Sequence, residues 1–256
     1  MAKIYQQPIN ESIELDELID LLRSFDTKIF DDNHIEESIL ALKKLYNNRR
    51  FLTLHLNSLL KDFTKEDKNF YTFQVFMIAQ EKYFNVRAPI WMPASGLASD
   101  KAFIYDIPHD HNFNLITLGY LGDGYKTDIY QYDVNSIEGI SGESVPIYGH
   151  EQYQLKPGNV LHMGINSDIH TQIPPNDLSI SVNIMQTKTL SDKQFIFDIK
   201  NNRILRKING ERDQALLDLA ETLGDENTTD IIEHLKSKQI LRPSQERLTR
   251  QSPSVL

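Results

Sequence analysis

The chain has 256 residues, of which 40% are hydrophobic and 25% are charged, a composition typical of a globular protein with a sizeable core. With 27 basic and 36 acidic residues its net charge is −9, which argues against nucleic acid as a partner. The absence of cysteine excludes disulfides, thiolate metal ligands and cysteine nucleophiles, and it leaves histidine as the ligand for borderline metals.

The sequence also predicts a cytoplasmic protein with no membrane partner. Its apolar runs fall short of the roughly 20 residues that span a bilayer. The opening "MAKIYQQPINESIELDELID" is acidic and lacks the apolar core of a secretory signal.

The region 1–68 is predicted to be helical and to pack on the rest of the chain. Three segments, "ESIELDELIDLLRSF", "HIEESILALKKLYNN" and "FLTLHLNSLLKDF", place apolar residues along one face with a helical period. These segments predict three packing helices.

The region 69–208 has a sequence pattern typical of β-strands. Aromatic and β-branched residues alternate with polar ones, and Gly, Pro, Asn and Asp separate short runs. The runs that predict strands are "NFYTFQVFMIAQ", "FNVRAPIWMP", "KAFIYDIPHDH", "FNLITLGYLG", "YKTDIYQYDV", "SVPIYGHEQYQL", "NVLHMG", "IHTQIP", "LSISVNIMQT" and "QFIFDIKNNRILRKI". "GDGY" at 122–125 predicts a hairpin turn. Many strands without intervening helices favour an antiparallel sandwich or barrel.

Helical patterns return in the region 209–256. "RDQALLDLAETLG" and "TTDIIEHLKSKQI" predict C-terminal helices, and the polar "RPSQERLTRQSPSVL" predicts a frayed tail. The predicted organisation is therefore a β-barrel flanked by helices at both ends.

The stretch "PHDHNF" at 108–113 is the main candidate for chemistry. Residues two apart on an extended strand point to the same face, so His109 and His111 would project together while Asp110 turns away. Borderline metals accept imidazole nitrogen, and one further ligand would complete a facial triad. The pair therefore predicts a metal site, provided that a third ligand lies nearby.

The third ligand must come from the other histidines of the β-region. His170 in "IHTQIP" is the expected one, because the turns at "PGNV" and "GINSD" can return its side chain to a barrel interior. His162 in "NVLHMG" is the alternative, and His150 in "YGHEQY" is expected at the surface.

These motifs together resemble the cupin superfamily. "HDH", a glycine turn before "YKTDIYQYD", then "LKPGNV" and "IHTQ" are similar to the cysteine-dioxygenase-like branch over roughly residues 70–200. The resemblance implies a mainly β fold, a double-stranded β-helix barrel (jelly roll) with N-terminal helices. It also implies Fe(II) held by His109, His111 and His170, with Zn, Ni and Mn as alternatives.

The chain follows this branch in one respect and departs from it in two. Leu115 and Ile116 stand where general cupins place a glutamate ligand, as in the three-histidine branch. Met185 stands where the branch has a tyrosine that assists its chemistry, and Phe73 stands where it has a carboxylate-binding arginine. These departures argue against free cysteine as the substrate. Arg87 in "NVRAPIW" is the candidate replacement for that arginine.

The resemblance implies an iron-dependent oxygenase or dioxygenase. Three neutral imidazoles would leave open positions on the metal for O2 and a small amino-acid-like or thiol-bearing metabolite. The catalytic candidates are Arg87, Tyr130 and Gln172. Other candidate pocket tyrosines are Tyr120, Tyr132 and Tyr148.

Two acidic residues near the histidines, Asp110 and Asp128, are expected to have different roles. Asp110 could accept the free ring N–H of a ligand histidine, but strand alternation points it outward and favours a turn-capping role. Asp128 on the following strand is the better candidate for orienting a ligand histidine.

Two alternative functions stay open. One is a metal cupin with non-oxidative isomerase or lyase chemistry, and the other is a non-enzymatic ligand-binding or sensor cupin. A homodimer is one candidate assembly.

Overall fold

The computed structural model describes residues 2–61, 70–72, 74–96, 104–187, 193–208, 220 and 224–237. The chain divides into two compact units, Met1–Ile208 and Asn209–Leu256. Within the described ranges, none of the helices has the length and apolar character needed to cross a bilayer.

Three helices precede the barrel, as the sequence predicts. They are α1 (Leu15–Ser24), α2 (Ile35–Asn47) and α3 (Phe51–Lys61). Helix α1 begins with a capping box, in which the side chain of Glu17 accepts a hydrogen bond from the Glu14 N–H.

In the second unit, helix α4 (Glu226–Ser237) confirms the pattern at "TTDIIEHLKSKQI". The predicted helix at "RDQALLDLAETLG" lies outside the described residues apart from Ala220 and Gly224, and the polar tail lies outside them entirely.

The strands of the described residues form two antiparallel sheets and a hairpin. Their bounds are β1 (Lys3–Tyr5), β2 (Phe70–Thr72), β3 (Val75–Gln80), β4 (Phe84–Trp91), β5 (Leu115–Leu121), β6 (Lys126–Gln131), β7 (Tyr148–Gln154), β8 (Val160–Met163), β9 (Asp168–Ile173), β10 (Ser179–Gln186), β11 (Phe195–Asp198) and β12 (Arg203–Lys207). The large sheet has the order β1-β8-β5-β10-β4-β3-β2, the small sheet has the order β7-β6-β9, and β11 pairs with β12.

The strand order is that of a double-stranded β-helix. Strands β5, β8 and β10 lie in the large sheet, whereas β6, β7 and β9 lie in the small one, so the chain crosses between sheets after β5, β7, β8 and β9. His109 extends the small sheet by bridging to His170 on β9. This alternation is the jelly-roll arrangement. The sequence-based expectation of a mainly β, cupin-type barrel with flanking helices is therefore confirmed.

Both faces of the large sheet are buried. Alternate residues such as Ile116 and Val182 pack with the N-terminal helices in one core. The intervening residues, such as Leu115 and Met185, face the barrel interior and pack with Ile129 of the small sheet. The helices therefore cover the outside of the barrel, and the sheet alternation directs every second side chain into it.

The outer face of the small sheet is covered as well. Ile169 and Tyr132 pack there against Phe195, Phe197 and Ile204 of the β11–β12 hairpin. The hairpin thus covers the outer face of the small sheet around β9 and the end of β6, whereas β7 at the sheet edge is mostly exposed.

The hairpin predicted at "GDGY" is wrong. Strands β5 and β6 belong to different sheets and do not pair, so residues 122–125 form a corner between the sheets. Gly122 and Gly124 both have positive φ there, and a Cβ on Gly124 would collide with the carbonyl oxygen of Leu155. The glycines serve a tight corner rather than strand pairing.

Two predicted strands also have a different form. In "KAFIYDIPHDH", Ile104 and Asp106 adopt positive φ within a turn, so the described part of this run pairs only through the bridges of His109. "QFIFDIKNNRILRKI" is a hairpin of β11 and β12, with Asn202 at positive φ in its turn. Strand β1, absent from the sequence-based expectation, pairs with β8 at the edge of the large sheet.

Candidate metal centre

His109 is held in place by paired backbone. Its N–H donates to the carbonyl of His170 at 3.0 Å, and the N–H of His170 donates back to the carbonyl of His109 at 2.8 Å. Residues that exchange both hydrogen bonds across antiparallel chains lie directly opposite each other. The two rings consequently lie side by side, with centroids 4.4 Å apart.

His111 reaches the same place from two residues further along. Its carbonyl accepts a hydrogen bond from the N–H of Asn166 at 2.7 Å, which ties it to the turn before β9. Its ring stacks on Phe113 with a centroid distance of 4.7 Å. Strand-like alternation therefore brings the rings of His109 and His111 to one side, as predicted.

The three rings converge through their Nε2 atoms. The Nε2 of His170 lies 3.1 Å from that of His109 and 3.3 Å from that of His111. Imidazole nitrogens about 2.1 Å from a common ion, with bond angles of about 95–105°, would lie about 3.1–3.3 Å apart. The three residues form a group that could hold a metal ion.

The local environment keeps these nitrogens available as ligands. Burial lowers the pKa of His109, and burial together with the neighbouring histidines lowers the pKa values of His111 and His170 well below their usual range. The Nδ1–H of His109 donates to the carbonyl of Ile107 at 2.8 Å, so its Nε2 carries the lone pair. Neutral rings with converging nitrogens fit a metal ion, because each can offer a lone pair.

The other histidines of the β-region lie away from this cluster. His162 lies opposite Ile116 of β5 and Lys3 of β1 in the large sheet. Its side chain is on the outer face of that sheet, whereas the side chain of Leu161 points into the barrel. His150 is exposed, as predicted, and its Nε2 lies 2.9 Å from Oδ1 of Asp128. Neither ring belongs to the histidine cluster.

Two of the predicted catalytic residues face the barrel interior. Gln172 follows His170 by two positions on β9, so it shares the same face, and it is buried. Arg87 on β4 stands opposite Asn183, and its charge helps to lower the pKa of His111. Both side chains therefore face the barrel interior, as the three histidine rings do.

The third predicted catalytic residue, Tyr130, is placed differently. Its neighbour Ile129 points into the barrel, whereas Tyr130 packs on the outer face of the small sheet and stacks on His150. Asp128 lies on this outer face too, where it accepts a hydrogen bond from Gln152 at 3.0 Å. The proposed roles of Tyr130 in the pocket and of Asp128 beside a ligand histidine are wrong, because strand alternation directs both residues away from the site.

The other candidate tyrosines also lie elsewhere. Tyr120 packs against Phe51 and donates to the carbonyl of Arg49 on the helical side. Tyr132 belongs to the core outside the small sheet, and Tyr148 is 54% exposed. Phe73 lies outside the described residues.

A tyrosine that the sequence analysis missed does lie inside the barrel. Tyr125 is fully buried, packs with Met185 in the interior and hydrogen bonds with Thr117 and Gln172. Burial raises its pKa to about 12, so its phenol keeps its proton at neutral pH. The sequence shows only that Tyr125 shares the parity of Ile129, four residues later, and parity alone does not tell which face is interior.

The expectation that Asp110 merely caps a turn is wrong. Asp110 is 0% exposed, and its carboxylate accepts hydrogen bonds from the Tyr132 hydroxyl at 2.5 Å, from the Asn166 amide at 2.6 Å and from the Phe195 N–H at 2.6 Å. Burial raises the pKa of this carboxyl, whereas the three donors act in the opposite direction. It is buried because the hairpin β11–β12 covers that side of the sheet.

Comparisons with known proteins give distant structural likenesses only. No protein-family model matches the sequence, and no curated protein matches it. A solved structure of DMSP lyases is 12% identical with a TM-score of 0.29, over 48% of this chain and 52% of that one. The hydroquinone 1,2-dioxygenase of Sphingomonas sp. TTNP3, with 4-hydroxybenzoate bound, is 7% identical with a TM-score of 0.28, over 48% of this chain and 70% of that one. The chain thus spans about half the length of the lyase. The assignment of the barrel fold rests on the strand order of this chain.

Proposed function

We propose that this protein is a metal-dependent cupin oxygenase that uses Fe(II) and O2 to oxidise a small amino-acid-like or thiol-bearing metabolite. One observation carries the proposal, namely the convergence of three buried imidazoles with Nε2 spacings of 3.1 and 3.3 Å. His109, His111 and His170 are the proposed ligands.

A divalent metal held by three neutral ligands would keep its full charge and would have open positions for substrate and O2. The chemistry that the metal would supply is the oxidation of the substrate by O2. The protein contributes the surroundings. Phe113, Leu115 and Met185 belong to the apolar interior core, and they exclude bulk water from one side of the site.

Substrate binding is assigned to polar side chains of the barrel interior. The guanidinium of Arg87 is close enough to lower the pKa values of both His111 and Tyr125, so an anionic group of the substrate would be favoured near it. Gln172 and the protonated phenol of Tyr125 provide hydrogen bonds at neutral pH. These three residues would orient an anionic metabolite beside the histidines.

The metal site is tested by matched alanine variants. His170→Ala should lose bound iron after anaerobic purification and Fe(II) loading, because two histidines cannot complete a facial site. His150→Ala should bind as much iron as the wild-type protein, since His150 is exposed and pairs with Asp128. The measurement is iron per folded chain, by elemental analysis and circular dichroism. Full iron occupancy in His170→Ala would contradict the proposed ligand set.

The reaction class is tested by oxygen consumption. The Fe(II)-loaded protein is mixed with a panel of small thiols and amino acids, and O2 uptake above the metal-free control is expected with at least one member. Substrate turnover without O2 uptake would favour the isomerase or lyase alternative, and a metal-free wild-type protein would favour a ligand-binding cupin.

A further inference from the structure

The buried carboxylate of Asp110 has surroundings that a turn-capping residue does not need. It lies between His109 and His111 in the chain, and its side chain points away from both rings into the core beyond the small sheet. Among the described residues, its carboxylate accepts hydrogen bonds from the Tyr132 hydroxyl, the Asn166 amide and the Phe195 N–H. A carboxylate suits this environment because it only accepts hydrogen bonds.

These donors come from three separate parts of the fold. Tyr132 follows β6, Asn166 lies in the turn before β9, and Phe195 begins β11. The backbone of Asp110 adds to the same attachment, because its N–H donates to the Phe195 carbonyl and its carbonyl accepts from the Gln194 side-chain amide. Asp110 therefore connects the histidine-bearing segment to the end of β6, to the turn before β9 and to β11.

Asn166 links this attachment directly to one of the histidines. Its side chain donates to Asp110 and to the Lys193 carbonyl, both at 2.6 Å, while its N–H donates to the His111 carbonyl. Asn166 has a φ of 46°, a left-handed conformation that asparagine adopts more readily than most residues with a side chain. His109 is paired with β9 through its backbone, whereas His111 is tied to the turn before β9 through Asn166, which also binds the Asp110 carboxylate.

We propose that Asp110 is a positioning residue that sets the spacing of the His109 and His111 rings, and so the affinity and geometry of the metal site, without touching the ion. This inference rests on the proposed function, because it presumes that the three histidines bind a metal. Strand alternation holds the carboxylate and the two rings on opposite sides of one short segment, so a shift of Asp110 moves both rings.

The test replaces the carboxylate with its closest neutral analogue. Asp110→Asn replaces one accepting carboxylate oxygen with an amide NH2, which is a donor. This NH2 must face at least one of the three groups that donate to Asp110, so at least one hydrogen bond is lost. We expect the variant to bind Co(II) about 10- to 100-fold more weakly than wild type, as for other residues that support metal ligands. Its visible Co(II) absorption spectrum should also change. Affinity is measured by chelator competition at a temperature where circular dichroism shows every variant folded.

Two further variants make the outcome decisive. Asp128→Asn is the matched control, because Asp128 also accepts side-chain hydrogen bonds, from His150 and Gln152, but on the outer face of β6. It should keep the wild-type Co(II) affinity and spectrum. Tyr132→Phe removes one donor and leaves the carboxylate, so it should weaken Co(II) binding by about threefold or more.

The results separate this inference from the proposed function. If wild type binds no Co(II), Fe(II) or Zn(II), the proposed metal site fails. If wild type binds Co(II) and Asp110→Asn has the same affinity and spectrum, Asp110 serves stability alone and the inference is overturned. If Asp110→Asn does not fold, wild-type affinity in Tyr132→Phe overturns it.

Discussion

At the scale of single residues, surroundings decide what each histidine can do. The three clustered rings are buried beside one another, and His150 is exposed beside a carboxylate. His162 is a third case: it is largely buried outside the cluster, and burial together with Lys3 lowers its pKa to about 4. Such a ring resists protonation in the folded state.

His162 should therefore make stability depend on pH. Between pH of about 6.5 and about 4, the unfolded chain binds a proton at this residue that the folded chain does not, so the free energy of unfolding falls as the pH falls through this window. His162→Gln should reduce the stability difference between pH 7 and pH 4 by about 2 to 3 kcal/mol.

Urea unfolding of the metal-free protein at both pH values measures this effect. The comparison is the difference between the two pH values within each protein, so a general change in stability caused by the substitution cancels. An identical pH dependence in wild type and His162→Gln would contradict the assignment.

At the scale of elements, the corner between β5 and β6 directs the chain from one sheet to the other. Gly124 has a φ of 77°, and a Cβ there would meet the carbonyl of Leu155. Gly142 has a similar φ of 87°, but a Cβ added to it would meet no atom of the described residues within 4 Å. The two glycines therefore differ in steric crowding while sharing the backbone conformation.

Alanine at each position separates these two effects. Gly142→Ala should lower the free energy of unfolding by about 1 kcal/mol, the strain of an alanine with positive φ. Gly124→Ala should lower it by at least about 2 kcal/mol, because backbone must also move. Urea unfolding followed by circular dichroism gives both values. Equal losses would show that the corner has room for a side chain.

At the scale of the first unit, Met1–Ile208, the N-terminal helices and the barrel share one core. Leu42 on α2 is 1% exposed and belongs to the same apolar cluster as Ile116 and Val182 of the large sheet. Trp91 is the only tryptophan of the chain, and it packs against the core of the barrel interior. Its fluorescence therefore reports on the barrel, whereas far-UV circular dichroism at 222 nm (about the helical minimum) reports mainly on helices.

Leu42→Ala tests whether the helices and the barrel unfold together. Removing this side chain should cost about 2–5 kcal/mol and shift both signals to lower urea by the same amount. Leu54→Ala on α3 is the control, since Leu54 is 49% exposed and its loss should cost about 0.5 kcal/mol or less. A helical transition that precedes the tryptophan transition in Leu42→Ala but not in the wild-type protein would show that the N-terminal helices unfold separately from the barrel.

The sequence predicted those features that depend on local periodicity. The helices α1, α2 and α3 lie where the apolar period predicts them, and most of the predicted strands form. The spacing of His109 and His111 also predicted a shared direction for the two rings, because strand alternation is a local property.

Other features depend on which strands become neighbours. The sequence at "GDGY" favours a tight turn, but only the assembled sheets show that it joins strands of different sheets. Tyr130 and Asp128 alternate regularly with Ile129, and periodicity alone does not say which set faces the interior. Tertiary packing determines which set faces the interior, because it buries Ile129 in the barrel.

The sequence by itself determined a β-barrel with flanking helices and a histidine pair pointing one way, since these follow from side-chain periodicity along the chain. Only the tertiary structure brought His170 to that pair and placed Asp110 in a second core behind it. The reason is physical: contacts between residues about 60 positions apart are set by sheet pairing and by the β11–β12 hairpin that covers the small sheet.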